Sequence, residues 1–378
     1  MKIGILTFCW TDHNYGQILQ CYALQKYLCD AGHEAFVINY DKRNDYCRDT
    51  MLEKLKKASN PNRLIRYARE KFTTDAVNRN RLNSSRHFSQ FKESYIKFSQ
   101  RAYSSFYDLE QNPPEADIYI VGSDQVWNFL DSTLDKYENW INAYFLNFGN
   151  EKIKRMSYAA SFGACKANIN NKYASMIRNL LGNFCYISIR EPEGIEICKS
   201  IGVFNVHIDP DPTLLLNANT YRNLYLENKV RDFCKSDKPY VLLYLVGNEC
   251  NFNFKEFREW SSKKGLCIKY VADALRSDNY DKIYPTIPEW LWLIDNSSYV
   301  ITNSFHGSVF SLIFKKKFLT VPLSGNSEGM NARIRTLFKL FSIKDRLLNG
   351  KDYEKIDEPY FTIPAFDKDK LAKIINYI

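Results

Sequence analysis

The sequence contains no long apolar run and only a few histidines. Among its 378 residues, no uninterrupted apolar stretch approaches the roughly 18–20 residues that a membrane-spanning helix needs. The N-terminal segment MKIGILTFCW is too short and too weakly charged for a signal peptide. We therefore expect a cytoplasmic protein. Histidine occurs five times, so a histidine that follows a strand among other polar residues is a candidate proton carrier.

Several short motifs that would assign a cofactor are absent. The sequence has no HExxH zinc motif, no EF-hand loop, no GxxxxGK[ST] phosphate loop and no GxGxxG dinucleotide motif. None of the ten cysteines forms a CxxC pair, and their scattered positions fit small buried apolar residues in a reducing compartment. The sequence therefore predicts no metal ion, no disulfide framework, and no ATP-type or NAD-type chemistry.

Positive charge is concentrated in one segment. Residues 41–101 carry a net charge of +9, which equals the formal net charge of the whole chain. Within this segment Leu64, Ile65, Ala68 and Phe72 recur at helical spacing, which predicts at least one amphipathic helix. Its basic face can be simply solvated, or it can contact an anionic acceptor or the membrane surface. No zinc-finger or RNA-recognition signature is present, so nucleic acid is not an expected partner.

Strands and helices alternate along the chain in two series. The first series opens with an apolar strand over 2–9, an amphipathic helix and a second strand over 35–40. The second series begins with the strand 240–247 and ends with the strand 318–323. Such alternation predicts mostly parallel sheets. The predicted fold class is therefore α/β, with two Rossmann-like domains facing each other across a cleft.

The boundary between the two domains is predicted near residue 215. Residues 1–215 are expected to form the N-terminal domain, with the basic segment inserted as helices over about 41–105. Residues 216–378 are expected to form the C-terminal domain. We expect the last helix of the chain to pack back on the N-terminal domain.

The loops at the carboxyl ends of the predicted strands are rich in polar residues, and ligands of open α/β sheets bind at that edge. These loops read HNYGQ (13–17), VGSDQVWN (121–128), YAASFG (158–163), SIREPEG (188–194), HIDPDPTLLL (207–216) and ITNSFHG (301–307). In the last of them His306 ends a strand and begins a helix, where backbone N–H groups favour an anion. An imidazole titrates near about pH 6.5, so His306 can exchange a proton at cellular pH.

Taken in order, these loops resemble the landmarks of the polysaccharide pyruvyl transferase family. NYG followed by a helix with an ALQ run, the GSDQVW turn, the YAASFG strand and the ITNSFHG segment match that family over about residues 1–340. The resemblance implies a fold of the GT-B type and transfer of the enolpyruvyl group of phosphoenolpyruvate onto two sugar hydroxyls. The product would be a cyclic ketal on a cell-surface polysaccharide or its lipid-linked precursor, with phosphate released and no cofactor beyond this co-substrate.

The resemblance also implies which residues catalyse the reaction. His306 matches the histidine regarded as catalytic in the family, and Arg190 matches a family arginine at a strand end. Many members carry an arginine two residues before the histidine, whereas this chain has Ser304 there. Another cation must then hold the anionic donor. Arg333 and Arg335 follow a Gly/Ser-rich loop and are candidates, because the planar guanidinium suits carboxylate and phosphate.

Several neighbouring residues could bind the donor or serve the fold. Asn303 and Ser304 could hydrogen-bond the donor or cap the following helix. Gly307 could let a ligand or the backbone approach closely. Glu191 could orient Arg190 or act as a base. In this scheme the donor binds mainly to the C-terminal domain.

The acceptor is assigned to the N-terminal domain. Asn14 and Gly16 precede a helix N-terminus, a natural position for a polar ligand, and Ser123 opens the turn after a strand. Asp124 could bind acceptor hydroxyls or cap a helix. Trp127 could stack on a sugar ring or pack in the core. A sugar or a lipid-linked oligosaccharide is the expected acceptor.

The residues leave two other functions open. A GT-B-type glycosyltransferase that uses a nucleotide sugar would share the architecture and would explain the serine at position 304. A non-catalytic protein that binds a glycan or lipid surface would depend on the basic segment. A pyruvyl transferase releases phosphate from phosphoenolpyruvate when acceptor is present, whereas a glycosyltransferase releases a nucleotide.

Overall fold

The computed structural model describes most of the chain in three parallel sheets of six, four and two strands. The described residues are 1–41, 82, 84–128, 138–163, 171–273, 276, 278–360 and 366–377. The predicted amphipathic helix with Leu64 and Phe72 lies outside them. Within these ranges no helix is both long and apolar enough to cross a membrane, and the eight cysteines are free thiols.

Twelve strands and twelve helices are defined in the described part of the chain. The strands are β1 (Lys2–Leu6), β2 (Glu34–Tyr40), β3 (Phe98–Tyr103), β4 (Ile118–Gly122), β5 (Lys154–Tyr158), β6 (Phe184–Tyr186), β7 (Ser188–Ile189), β8 (His207–Ile208), β9 (Tyr240–Leu245), β10 (Cys267–Ala272), β11 (Tyr299–Thr302) and β12 (Lys317–Thr320). The helices are α1 (Tyr15–Asp30), α2 (Phe88–Tyr95), α3 (Phe106–Gln111), α4 (Glu138–Tyr144), α5 (Asn171–Leu181), α6 (Glu193–Ser200), α7 (Ala218–Leu226), α8 (Phe254–Lys263), α9 (Ile287–Asp295), α10 (Phe305–Ile313), α11 (Asn331–Leu340) and α12 (Lys370–Tyr377).

The six-stranded sheet has the strand order of a Rossmann fold. Its strands run in the order β3-β2-β1-β4-β5-β6, and every neighbouring pair is parallel. All five residues of β4 are buried, as expected for a parallel strand with cover on both faces. The order reverses between β1 and β4, and ligands bind at such a switch point. The loops after β1 and β4 therefore form the first crevice in which a ligand is expected.

Part of the predicted helical insert is a strand. Residues 98–103, which the prediction placed among helices over about 41–105, form β3 and pair with β2. The sequence FSQRAY has three exposed residues and only one buried residue, and it carries no apolar pattern typical of a strand. Its conformation follows from the edge of β2, whose backbone groups need hydrogen-bond partners.

The four-stranded sheet forms a second crevice of the same kind. Its order is β10-β9-β11-β12, again parallel throughout, with the reversal between β9 and β11. Asn303, directly after β11, joins the two strand ends. Its Oδ1 accepts a hydrogen bond from the Val246 N–H at 2.7 Å, and its Nδ2 donates to the Val246 carbonyl at 2.8 Å. The loops after β9 and β11 are thereby held together.

Helix α1 lies between the two sheets and joins their cores. Twelve of its 16 residues are buried, many more than one amphipathic face would bury. Tyr15 stacks on Trp290 of α9 with the ring centroids 4.9 Å apart, and its hydroxyl donates to the Pro285 carbonyl. Ile18 of α1 and Phe310 of α10 belong to the same apolar cluster. This continuous core brings the two crevices towards each other across the N-terminus of α1.

The last helix lies against the first sheet. Leu371 and Ile375 of α12 are buried in a cluster with Ile3 and other residues of the six-stranded sheet. Lys370 Nζ pairs with Asp209 Oδ1 at 2.6 Å. The end of the chain therefore returns to the N-terminal sheet after completing the second one.

Candidate active site

His306 lies in the first turn of α10, at the switch point of the second sheet. The side chain of Ser304 caps this helix, because its Oγ accepts a hydrogen bond from the Gly307 N–H at 3.3 Å. The cap explains why a helix begins directly after β11. His306 is only 9% exposed, so its ring is held by its surroundings.

One side of the His306 ring packs on Gly16 of α1. A Cβ atom at position 16 would lie 2.0 Å from Nδ1 of His306 and 2.2 Å from its Cγ, well inside van der Waals contact. Asn14 starts α1 at this point, with its Oδ1 accepting from the Gln17 N–H at 3.2 Å. The glycine of the NYG motif thus lets a histidine of one domain lie against a helix of the other.

A buried carboxylate, Asp211, faces Nε2 of His306. The distance from Nε2 to Oδ2 of Asp211 is 3.4 Å. The same Oδ2 accepts hydrogen bonds from Ser123 Oγ at 3.1 Å and from Nη1 of Arg190 at 2.9 Å. The other oxygen, Oδ1, accepts from the N–H and the hydroxyl of Thr213. Asp211 is 1% exposed, so these contacts replace water almost completely.

These contacts determine the charge of the buried pair. Burial alone would raise the pKa of Asp211, since desolvation disfavours the charged carboxylate. His306 and Arg190 outweigh burial and hold the pKa of Asp211 well below its usual range. Burial alone would lower the pKa of Arg190, but nearby carboxylates, Asp211 above all, raise it overall. At neutral pH the site therefore contains an ionised Asp211 beside a charged Arg190.

Arg190 has donors that the protein leaves unused. Its side chain is 3% exposed, and Nη1 alone donates to Asp211. Nε lies 3.7 Å from Oε2 of Glu191, too far for a hydrogen bond. Neither Nε nor Nη2 has a hydrogen-bond partner among the described residues. Leaving a buried donor unpaired costs about 1–3 kcal/mol, and a guanidinium with two such groups suits a carboxylate or phosphate ligand.

Phe305 connects Arg190 to a second arginine. The guanidinium carbon of Arg190 is 4.9 Å from the centroid of the Phe305 ring, and that of Arg333 is 6.0 Å from it. Arg333 also contacts Sδ of Met330 at 3.0 Å. Arg335 is exposed, because side chains two positions apart on a helix do not share a face. Arg333 therefore lies beside Phe305 and near Arg190, whereas Arg335 is exposed, and donor binding by either arginine stays a prediction.

The turn after β4 has an unusual backbone. φ is +24° at Ser123 and +60° at Asp124, values that are uncommon for residues other than glycine and that occur at functional sites. The Asp124 carbonyl accepts from the Ser161 N–H at 3.0 Å, which holds the turn. The Ser123 hydroxyl donates to Asp211, and its predicted contact with the acceptor stays a prediction. Asp124 is 9% exposed, and its carboxylate has no hydrogen bond to the described residues.

Trp127 belongs to the hydrophobic core. It is fully buried, its ring stacks on Phe145 at 4.8 Å, and its Nε1 donates to the Tyr144 carbonyl at 2.9 Å. No ring face is left for a sugar. The prediction of an acceptor contact at Trp127 is therefore wrong. The last residues of GSDQVW, Val126 and Trp127, are already buried in the hydrophobic core.

Asn303, Ser304 and Gly307 maintain the structure around His306. The Asn303 amide is bonded on both sides to Val246, and Ser304 is a helix cap. A Cβ at position 307 would lie 2.4 Å from Oγ1 of Thr302, so the glycine allows α10 to approach β11. These contacts give each of the three residues a structural role, and their donor-binding roles stay predictions. The segment ITNSFHG serves mainly to place His306.

Glu191 supports the backbone next to Arg190. Oε1 of Glu191 accepts from Ser161 Oγ at 2.6 Å and from the Phe162 N–H at 3.0 Å, which joins two strand ends.

Asp211 is a residue of the site that the sequence does not predict. It lies in the polar loop HIDPDPTLLL together with Asp209, and nothing in their spacing shows which of the two contacts His306. No three His, Cys, Asp or Glu side chains of the described residues converge as metal ligands.

The sequence match spans most of this site. Residues 14–325 match the family described as polysaccharide pyruvyl transferase. The matched span contains Gly16, Arg190, Asp211 and His306, whereas Arg333 lies beyond it. The chain belongs to the polysaccharide pyruvyl transferase family. A comparison with curated protein sequences finds no match.

Two solved structures with the same overall fold are those of a UDP-GlcNAc 2-epimerase. UDP-GlcNAc 2-epimerase from Methanocaldococcus jannaschii, in complex with UDP-GlcNAc and UDP, aligns over 100% of both chains with a TM-score of 0.51 and 14% identity. A second structure of that enzyme also aligns over 100% of both chains, with a TM-score of 0.50 and 11% identity. At such identities the likeness shows the fold alone. It confirms the predicted GT-B-like class of two Rossmann-like domains for this pyruvyl transferase family member.

Proposed function

We propose that this family member transfers the enolpyruvyl group of phosphoenolpyruvate to two hydroxyls of one sugar and releases phosphate. The sugar belongs to a cell-surface polysaccharide or its lipid-linked precursor, and the product is a cyclic pyruvate ketal. The observation that carries the proposal is His306 between Asp211 and Gly16, beside the unused N–H groups of Arg190. This arrangement places a proton carrier next to an anion-binding group where the two crevices meet.

His306 supplies the first proton. Nδ1 packs against Gly16, whereas Nε2 has no hydrogen-bond partner among the described residues, so Nε2 is the nitrogen that exchanges a proton with the substrate. Asp211 places a negative charge 3.4 Å from Nε2 and helps to hold the ring in position. The proton passes from His306 to the methylene carbon of phosphoenolpyruvate, which becomes the methyl group of the product. The neighbouring carbon C2 gains positive character and becomes open to attack.

Two sugar hydroxyls then add to the same carbon. The first hydroxyl forms a bond to C2 and gives up its proton, the C2–O bond to phosphate breaks, and the second hydroxyl closes the ring. One hydroxyl proton restores His306 and the other leaves with phosphate, so the protons balance. Asp124, at the strained turn after β4, accepts the hydroxyl hydrogen bond that orients the acceptor.

Arginines stabilise the charge that develops. Arg190 binds the carboxylate or the phosphate of the donor through Nε and Nη2, and Arg333 approaches from the ring of Phe305. Donors already in place lower the barrier because they need no reorganisation during the reaction. This pair supplies the cation that many family members carry at the position of Ser304.

The basic segment extends the proposal to the acceptor. Arg63, Arg66 and Arg69 lie outside the described residues, and we propose that their segment contacts the anionic diphosphate of a lipid-linked acceptor at the inner membrane face. Reversal of these three charges is then expected to raise KM for a lipid-linked acceptor and to leave KM for a soluble sugar unchanged. An equal change for both acceptors contradicts this contact.

A direct assay tests the reaction. The protein is incubated with phosphoenolpyruvate and a panel of galactosides and N-acetylmannosaminides, and both inorganic phosphate and product mass are measured. We expect acceptor-dependent phosphate release, a product heavier by one pyruvic acid less one water, and loss of both in His306→Ala. Release of a nucleotide from a nucleotide sugar, without any use of phosphoenolpyruvate, would show a glycosyltransferase instead.

A further inference from the structure

A second cavity lies at the carboxyl edge of the first sheet, next to the crevice between β1 and β4. Its volume is about 330 Å³, within the range of about 300–1,000 Å³ typical of small-molecule sites. The loop after β1, the end of β2 and one side of α2 line it, and Trp10 stands at its wall. We call it the Trp10 cavity. The reaction proposed above uses none of its residues.

Trp10 exposes a large aromatic surface in this cavity. The residue is 51% exposed, whereas none of the other five tryptophans is exposed. The ring of Phe8 meets it edge-on with a centroid distance of 6.3 Å, and Phe8 in turn packs on Tyr144 in the core. The indole is therefore anchored at one edge while much of its surface meets solvent. A flat apolar surface of this kind, surrounded by polar groups, is typical of a ligand site.

The charges around the cavity favour a neutral ligand. Asp41 and Glu93 bring carboxylates to its wall. Among the described residues that line it, Lys92 is the only cation, and it already forms an ion pair with Asp12 at 3.3 Å. A lysine that is already paired attracts phosphoenolpyruvate, phosphate or a nucleotide only weakly. Carboxylates accept hydrogen bonds from hydroxyls, and the Asn39 amide both donates and accepts, so the polar groups suit the hydroxyls of a sugar.

The cavity is linked to the His306 site by a short chain of hydrogen bonds. Thr7, in the cavity wall, donates from Oγ1 to the Ser123 carbonyl at 3.1 Å. Ser123 donates to Asp211, which faces His306. Thr7 and Ser123 follow β1 and β4, the two strands of the first switch point. The Trp10 cavity therefore adjoins the crevice in which the acceptor is proposed to react.

We propose that the Trp10 cavity binds a neutral sugar unit of the acceptor, next to the unit that receives the pyruvyl group. The sugar ring stacks on Trp10, and its hydroxyls bond to Asn39 and Glu93. The acceptor is accordingly an oligosaccharide rather than a single sugar. The position of this unit relative to the modified sugar rests on the proposed function, whereas binding of a saccharide at Trp10 does not.

Tryptophan fluorescence tests binding without any reaction. Acrylamide quenching of the native protein is expected to report mainly Trp10, since four of the other tryptophans are buried and Trp292 is partly buried. We expect disaccharides and trisaccharides of the galactose and N-acetylmannosamine series to protect against quenching, and phosphoenolpyruvate to give no protection. The Trp10→Phe variant should lack this protected component. Absence of protection by every saccharide in the panel overturns the proposal.

Acceptor kinetics test the role of the cavity in the reaction. In Trp10→Ala we expect KM for a disaccharide or trisaccharide acceptor to rise about tenfold, the effect of losing one good aromatic contact. KM for phosphoenolpyruvate and KM for a single-sugar acceptor should stay unchanged. Tyr107→Ala is the matched control, because Tyr107 is an aromatic residue of the same domain, 70% exposed on α3 and outside the cavity.

The outcomes separate the two proposals. An equal KM for long acceptors in Trp10→Ala and Tyr107→Ala overturns the sugar subsite even if the reaction is as proposed. If no saccharide supports phosphate release, the proposed reaction fails. The quenching experiment then still decides whether the Trp10 cavity binds sugars.

Discussion

Replacing Asp211 by asparagine should affect both stability and catalysis. Oδ1 of Asp211 accepts two hydrogen bonds from Thr213, and the asparagine carbonyl oxygen can keep them. The amide –NH₂ then takes the position of Oδ2, where it faces donors on Ser123, Arg190 and His306. One buried acceptor becomes a donor, and the positive charge of Arg190 loses its closest counter-charge.

The size of the effect follows from burial. Asp211 is 1% exposed and the Arg190 side chain is 3% exposed, so water cannot replace the lost partner. Breaking a buried ion pair by removing one member costs about 3–5 kcal/mol. We expect the free energy of unfolding of Asp211→Asn to fall by about that amount. Phosphate release should also fall, because the orientation of His306 depends on the same oxygen.

Urea unfolding measures this cost, and a double-mutant cycle identifies its source. Arg190→Met removes the buried cation, so in its presence Asp211→Asn should destabilise the protein much less than alone. The expected coupling energy is about 1–3 kcal/mol. A loss below about 1 kcal/mol in the single variant, or additive effects in the double variant, would refute the assignment of Asp211 as the buried counter-charge.

The loss of stability caused by Asp211→Asn should become smaller at low pH. The pKa of Asp211 is lowered from its ordinary value of 3.8, so its ionised form stabilises the fold fully above that value. This contribution is lost as the pH falls below about 4, where the unfolded chain takes up a proton that the folded protein resists. The difference in unfolding free energy between native protein and Asp211→Asn should shrink over that range. A constant difference contradicts the argument.

Substitutions at three further positions test individual contacts. Gly16→Ala should lower phosphate release at least tenfold, because the new methyl group displaces His306. The same substitution should cause no further loss of activity in a His306→Ala background. A fully active Gly16→Ala variant excludes the contact between Gly16 and His306. Trp127→Ala should lower the free energy of unfolding by about 3–5 kcal/mol in urea titrations. Trp127→Phe should leave KM for the acceptor unchanged. A raised KM for the acceptor in Trp127→Phe would show that Trp127 contacts the sugar. Ser304→Ala should lower the free energy of unfolding by about 0.5–2 kcal/mol, because the helix cap is lost. KM for phosphoenolpyruvate should stay unchanged. A large rise in that KM would show that Ser304 binds the donor.

Polar strands at the edge of a sheet were the least predictable part of the fold. Buried strands such as β4 and β9 are apolar runs, and their positions in the sequence follow from hydrophobic periodicity. β3 has no such run, and it was assigned to a helical insert. Its pairing depends on the open edge of β2, a neighbour that is about 60 residues away in sequence.

The two tryptophans illustrate the same limit within the site. Trp127 follows a polar turn at a strand end and was predicted to meet a sugar, yet its ring is buried against Phe145. Trp10 follows a similar strand end and is half exposed. Both are tryptophans just beyond a strand of the first sheet, so residue type and position in the sequence do not separate them. Only the packing of the neighbouring segments decides which ring meets solvent.

The sequence by itself determined the α/β class, the family and the position of His306 at a strand end, because these depend on local periodicity and on short motifs. The partners of His306 were decided by tertiary structure alone. Gly16 lies in the first turn of α1, whereas Arg190 and Asp211 follow the two strands of the β7–β8 sheet. They meet His306 only because the three parallel sheets bring the carboxyl ends of their strands to one junction. A contact between residues so far apart in the chain leaves no pattern in one sequence.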